Sequence, residues 1–145
     1  MNSLWQPSPA QIECSHMLRF QQQLKSQLNL SFADYEELHQ WSVDKPEEFW
    51  AQLWQYSDIR ASVPYSAVLS DCEKFPGAKW FEGSRLNFAD NLLRNRSDKT
   101  ALIARLENGA RKTMSYGALY QQVAQLAAAL RSAGVVTGER VAGFM

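Results

Sequence analysis

Two histidines, His16 and His39, two cysteines, Cys14 and Cys72, and two adjacent carboxylate pairs, Glu36-Glu37 and Glu47-Glu48, are the residues that could bind a metal, move a proton or attack an electrophile. Metal ligation needs donors converging on one ion, and neither histidine stands at ligand spacing from a cysteine, a carboxylate pair or the other histidine. Both are read as surface or interface side chains. The paired carboxylates occupy neighbouring positions on predicted helices, so they diverge, and solvated helix faces account for them. No serine sits in a Gly-x-Ser-x-Gly setting. The seven glycines form neither a GxGxxG nor a GxxxxGK[ST] pattern, so no backbone cradle for phosphate is expected. Turns or helix caps explain all of them except Gly117 and Gly143. Residue spacing therefore assigns no catalytic, cofactor-binding or metal-binding residue.

The 145 residues suffice for one domain, which at that size buries roughly 68–70% of its unfolded surface. Fifteen basic residues balance fifteen acidic ones, and the basic residues cluster no further than Arg111-Lys112, so the phosphate-neutralising stripe of a nucleic-acid binder is missing. The cysteines lie far apart, which favours free thiols over a disulfide. The first residues lack a basic and an apolar signal region, and no stretch has the length of a membrane span. A cytoplasmic protein without membrane or nucleic-acid partners is expected.

The elements that would position any site fall into two styles. All five tryptophans lie by position 80, whereas alanine crowds 118–133, so a change of unit is placed between Leu86 and Asp98. Ser8-Pro9-Ala10-Gln11 has the form of a capping box and predicts a helix whose apolar face is Met17, Phe20, Leu24 and Leu28. A shorter helix is predicted from Ser31, carrying Phe32, Tyr35 and Leu38 and ending near Trp41-Ser42-Val43. Asp44-Lys45-Pro46-Glu47 repeats the cap logic, with Asp44 as cap, for a helix with Phe49, Trp50, Leu53 and Trp54 on one side. These aromatics suit docking on a neighbour better than an open stacking platform for a flat ligand. A loop through Val63, Tyr65, Val68 and Leu69 leads to a turn at Pro76-Gly77. Asn87 is placed to cap a short helix through Leu93.

The last third is the most strongly patterned. Lys99 to Leu106 reads as a strand, Asn108-Gly109 as a hairpin turn, and Arg111 to Met114 as its return. Ser115 caps a helix whose buried stripe is Leu119, Val123, Leu126, Leu130 and Ala133, with Gly134 at its end. A turn at Thr137-Gly138-Glu139 leads into Val141 to Met145, an apolar run of the kind found in a doubly covered parallel strand. No residues follow to cover its second face, so the chain is expected to be the opening segment of a larger α/β protein.

Several stretches together resemble the start of an acyl-CoA ligase of the adenylate-forming superfamily, and within it the acetoacetate–CoA ligases. They are Trp5-Gln6-Pro7-Ser8, Asp34 to Val43, Pro46 to Trp50, Pro76 to Phe81, Leu86 to Leu93, Met114 to Leu119 and Gly134 to Val141. Trp41-Ser42-Val43, Lys79-Trp80-Phe81 and Leu86 to Leu93 tilt the similarity toward acetoacetate, whereas Gly138-Glu139-Arg140-Val141 is shared widely in the superfamily. Asp90 and Glu139 stand where the family more often has the other acid.

The resemblance implies a mixed α/β chain: an aromatic-rich helical extension over residues 1–90, then the first hairpin, helix and strand of an AMP-binding domain over residues 91–145. It implies that the whole enzyme uses ATP and magnesium to turn acetoacetate into an acyl-adenylate with release of pyrophosphate, after which the thiol of coenzyme A displaces AMP. Such activation is needed because a free carboxylate is a poor electrophile. The family's phosphate loop, later nucleotide-binding segments and C-terminal lysine have no counterpart between Met1 and Met145. No catalytic or nucleotide-binding residue is carried over, and the chain alone is expected to be inactive. The rivals are an acetate- or propionate-CoA ligase, and a non-catalytic module that binds a protein through the helices around Trp41, Trp50, Trp54 and Trp80.

Overall fold

A computed structural model describes residues 4–143. The chain divides between Asn87 and Phe88 into two compact units.

The first unit opens with α1 (Pro9–Glu13) and α2 (His16–Leu28). The Ser8 capping box forms with both reciprocal bonds. One continuous helix does not follow it: α1 stops after a turn and Ser15 caps a new helix, its hydroxyl accepting from the Leu18 N–H at 3.1 Å. A second good cap seven residues after the first offers the chain a place to change direction. Of the expected apolar face, Phe20 and Leu24 are buried while Met17 and Leu28 stay exposed. Asn29, left-handed at φ 56°, ends α2 and turns the Leu30 N–H back onto the Leu24 carbonyl.

Helix α3 (Tyr35–Asp44) starts later than the sequence suggests. Asp34, not Ser31, is the cap: its carboxylate accepts from the Glu37 N–H at 3.0 Å, while Glu37 accepts from the Ala33 N–H at 2.7 Å. Phe32 therefore precedes the helix and packs on Trp41, ring centroids 5.4 Å apart. Asp44 does not cap α4 (Pro46–Tyr56); it is the last residue of α3 and accepts from the Gln40 amide at 2.8 Å. Lys45 alone separates the helices and forms no side-chain cap. Pro46 lacks an N–H, so one of the unpaired donors that a cap would satisfy is missing.

The four large side chains of α4 divide between two faces. Phe49 and Leu53, with Tyr56, pack on the core of Phe20, Leu24 and Leu38. Trp50 and Trp54, about 100° round the helix, meet a hairpin that the sequence reading treats as loop and turn: β1 (Ala67–Ser70) antiparallel to β2 (Lys79–Glu82), with Leu69 opposite Trp80. Trp80 reaches Trp50 with centroids 5.6 Å apart, and Phe81 reaches Trp54 at 4.5 Å. Consecutive strand residues ordinarily point to opposite faces. Phe81 has φ 48°, and this left-handed backbone breaks the alternation so that both rings meet the same helix.

The second unit holds α5 (Phe88–Leu92), β3 (Thr100–Arg105), β4 (Arg111–Ser115) and α6 (Tyr116–Ser132). The hairpin closes through three residues, Glu107-Asn108-Gly109. The Gly109 N–H donates to the Leu106 carbonyl, the Leu106 N–H donates to Ala110, and Gly109 is left-handed at φ 78°. Ser115 caps α6 as expected, accepting from the Ala118 N–H at 3.2 Å. The helix ends in a Schellman motif, with the Val135 N–H on the Leu130 carbonyl and the Gly134 N–H on Arg131.

The buried stripe of α6 is shifted from the expected one. Leu126 is 61% exposed and Ala133 is exposed, while Ala127 joins Leu119, Val123 and Leu130 on the half-buried side. A two-stranded hairpin covers only a narrow face, and leucine and alanine neighbours at 126 and 127 straddle its edge. Val141 to Gly143 forms no strand among the described residues and Val141 is 63% exposed; Phe144 and Met145, the rest of the expected strand, lie outside them. A strand needs a ladder partner, and none lies beside this run among the described residues.

Candidate functional site

The two histidines, treated separately in the sequence, line one cleft. It lies in the first unit between α2, α3 and α4 and encloses about 270 Å³. Phe20, Leu38, Phe49 and Leu53 form its apolar wall, and His16, Tyr35, His39, Ser42 and Tyr56 bring polar atoms to it. The signal was present: Tyr35, Leu38, His39 and Ser42 follow i, i+3, i+4, i+7 on α3, and His16 and Phe20 are i, i+4 on α2. What the sequence cannot show is that these stripes face each other.

The His16, Tyr56 and Ser42 side chains are already engaged with the protein. The Tyr56 hydroxyl has one hydrogen, donated to the His16 carbonyl at 3.0 Å, so the 2.8 Å contact between His16 Nδ1 and that hydroxyl is an N–H donating to the phenol oxygen. Tyr35 stacks on His39 at 6.0 Å. Ser42 and His39 do not form a nucleophile–base pair, because the Ser42 hydroxyl donates to the His39 carbonyl at 2.7 Å rather than to its ring. The cleft has the make-up of a binding surface, without an activated nucleophile.

The N-terminus of α6, the longest helix described, is the natural place to look for an anion site. It is closed. The Tyr116 N–H donates to the Lys99 carbonyl, the Gly117 N–H to Ser97, and the Ala118 N–H to the Ser115 hydroxyl. The Gly117 position is explained here: a Cβ would stand 3.2 Å from the Arg96 carbonyl oxygen. Among the described residues no group of three or more His, Cys, Asp or Glu side chains gathers as a metal site. Both cysteines are free and exposed. No helix among them is long and apolar enough to cross a membrane.

Trp50 and Trp54 are not an open stacking platform, since each already meets other rings: Trp50 with Phe49 and Trp80, Trp54 with Tyr65 and Phe81.

Comparison with known proteins gives these features a context. Residues 35–92 match the family described as acetyl-coenzyme A synthetase N-terminus, and residues 88–145 match the AMP-binding enzyme family. Acetoacetyl-CoA synthetase from Xenopus tropicalis is 38% identical over 98% of this chain and 21% of its own length. That from Danio rerio is 39% identical over 88% of this chain and 19% of its own. The solved structure of acetoacetyl-CoA synthetase from Streptomyces lividans superposes with a TM-score of 0.83 at 38% identity, covering 97% of this chain and 22% of that one. The chain thus spans about a fifth of the length of the curated relatives it matches. Its mixed helices and small antiparallel sheets match the N-terminal part of that structure. Two overlapping family matches together span residues 35–145, and nearly the whole chain is similar to the N-terminal part of acetoacetyl-CoA synthetases.

Proposed function

We propose that residues 1–145 form the opening part of an ATP-dependent acid–CoA ligase that converts acetoacetate, ATP and coenzyme A to acetoacetyl-CoA, AMP and pyrophosphate. The observation that carries this reading is the 38% identity to acetoacetyl-CoA synthetase over 98% of the chain, which takes in both units. Residues 1–90 are assigned to a helical extension and 91–145 to the start of the AMP-binding domain. The adjoining family matches and the division at Asn87 support that assignment.

The residues present do not fit ATP, magnesium or coenzyme A. The first-turn amides of α6 are occupied, no group of three or more His, Cys, Asp or Glu side chains gathers among the described residues, and no phosphate loop occurs in the sequence. No step of the reaction is therefore placed on this chain. Its role is structural: the caps, the aromatic contacts of α4 and the β3–β4 hairpin give the chemistry a scaffold. A cytoplasmic setting, with a small acid as substrate and neither nucleic acid nor membrane as partner, follows from the same reading.

The gene product that contains these residues, expressed as it stands in its genome, tests this. Coenzyme A thioester formation is expected with acetoacetate in clear preference to acetate and propionate. Acetate is the critical competitor because the family matching residues 35–92 is described for acetyl-coenzyme A synthetase. A preference for acetate or propionate overturns the assigned substrate, and failure with all three acids overturns the ligase reading.

A further inference from the structure

The hairpin turn between β3 and β4 holds a reactive pair that the ligase reading does not use. Asn108-Gly109 is the one Asn-Gly step in the chain. Both residues are exposed, and open space surrounds the position where a Cβ on Gly109 would lie. No side chain at the following residue obstructs attack by the glycine nitrogen on the asparagine side-chain carbonyl, and the reaction requires the Gly109 N–H to leave the Leu106 carbonyl, to which it donates at 2.9 Å. The turn also orients the side-chain carbonyl: Asn108 Oδ1 accepts from the Ala110 N–H at 3.0 Å. In an addition to Cγ the negative charge develops on Oδ1, so this N–H stands where an oxyanion donor belongs.

We infer that Asn108 is a site of spontaneous covalent modification, converting through a cyclic imide to a mixture of aspartate and isoaspartate. The Gly109 nitrogen, giving up its proton to solvent base, forms a bond to Asn108 Cγ, and the side-chain nitrogen departs as ammonia. Water then adds to one of the two imide carbonyls and breaks its bond to nitrogen. Opening at one carbonyl restores the main chain with an aspartate; opening at the other routes the chain through the side chain as isoaspartate. Nothing is oxidised or reduced, and water is the only co-reactant.

The surroundings give the two products opposite consequences. Arg105 and Arg111 stand directly opposite each other at the mouth of the turn, and neither joins an ion pair among the described residues. Like charges in that relation destabilise a strand pair. An aspartate at 108 lies three residues from each guanidinium and relieves the repulsion, while keeping an acceptor for the Ala110 N–H. Isoaspartate inserts an extra backbone carbon into a three-residue loop and disrupts the closing bonds of Leu106 with Gly109 and Ala110.

The test is peptide mapping of the intact chain after incubation at mildly alkaline pH in ¹⁸O-labelled water. Label is expected at residue 108 about tenfold faster than at any other asparagine, and Gly109→Ala is expected to suppress it at least fivefold. Equal labelling at several asparagines, or an Asn108 that remains amide while others convert, overturns the inference. Because Gly109→Ala also strains a left-handed position, Ala110→Pro supplies an independent variant: it removes the N–H on Oδ1 and keeps the Asn-Gly step. Its rate is expected to fall below that of the parent chain, and an unchanged rate contradicts the role given to that N–H.

Discussion

The guanidinium of Arg96 lies over the ring of Tyr120, 3.8 Å from its centroid. The same residue's carbonyl oxygen faces Gly117 one turn earlier on α6, so the segment preceding β3 is held to the helix by both its backbone and its side chain. Asn95 and Ser97 stiffen it further by accepting from the N–H groups of Ser97 and Lys99. Arg96→Ala is expected to lower the stability of the second unit by about 0.5–1 kcal/mol, the range for a cation over an aromatic face at an exposed site. Urea unfolding followed by a probe in α6 measures it, and an unchanged midpoint removes the contact from the account.

Gly117→Ala separates close approach from helix propensity. Alanine is favoured over glycine inside a helix by up to about 1 kcal/mol, yet here the new methyl meets a backbone oxygen that cannot move without disturbing the loop. Overpacking of this kind costs about 1–3 kcal/mol, so a net loss of about 1 kcal/mol is expected in the same unfolding measurement. A gain in stability would show that the loop yields freely.

Two leucines of similar sequence appearance should behave differently. Leu24 is fully buried with Phe20 and Leu38, and Leu24→Ala is expected to cost about 2–5 kcal/mol. Leu126→Ala in this chain, removing a side chain on the exposed face of α6, is expected to stay within about 0.5 kcal/mol. Thermal or urea denaturation of the two variants side by side decides this, and comparable losses would contradict the shifted stripe.

Glu139 organises the turn after α6. One of its carboxylate oxygens accepts from the Val136 N–H at 2.9 Å, and the backbone bond from the Glu139 N–H to Val136 closes the same turn at 3.2 Å around Gly138 at φ 97°. Glu139→Gln preserves an acceptor of the same reach and is expected to be nearly neutral. Glu139→Ala is expected to lose about 1 kcal/mol and to speed amide exchange at Val136 in hydrogen-exchange measurements. Unchanged protection at Val136 in the alanine variant would show that the backbone bond alone holds the turn.

The features legible in the sequence are those set by local chemistry. The Ser8 capping box, the Ser115 cap, the Asn108-Gly109 hairpin and the Gly134 helix end all involve residues within a few positions of each other, and all form. The breaks in expectation arise where two local signals compete or where a distant partner decides. Ser15 interrupts what periodicity alone reads as one helix, and Pro46 shortens the link that Asp44 was expected to cap. The strands β1 and β2 have four residues each, too few for alternation to show, and Phe81 abandons it altogether. The convergence of His16 and His39 depends on how three helices pack, which neither stripe encodes by itself.

We propose that residues 1–145 supply scaffold, and none of the nucleotide-handling groups, to an acetoacetate–CoA ligase. The most direct measurement replaces the corresponding N-terminal fifth of the Streptomyces lividans acetoacetyl-CoA synthetase with residues 1–145 and assays acetoacetate-dependent exchange of pyrophosphate into ATP, beside the 145-residue chain alone. The account predicts exchange by a folded chimera and none by the chain alone. A folded, soluble chimera without exchange, or exchange catalysed by the isolated chain, would contradict it.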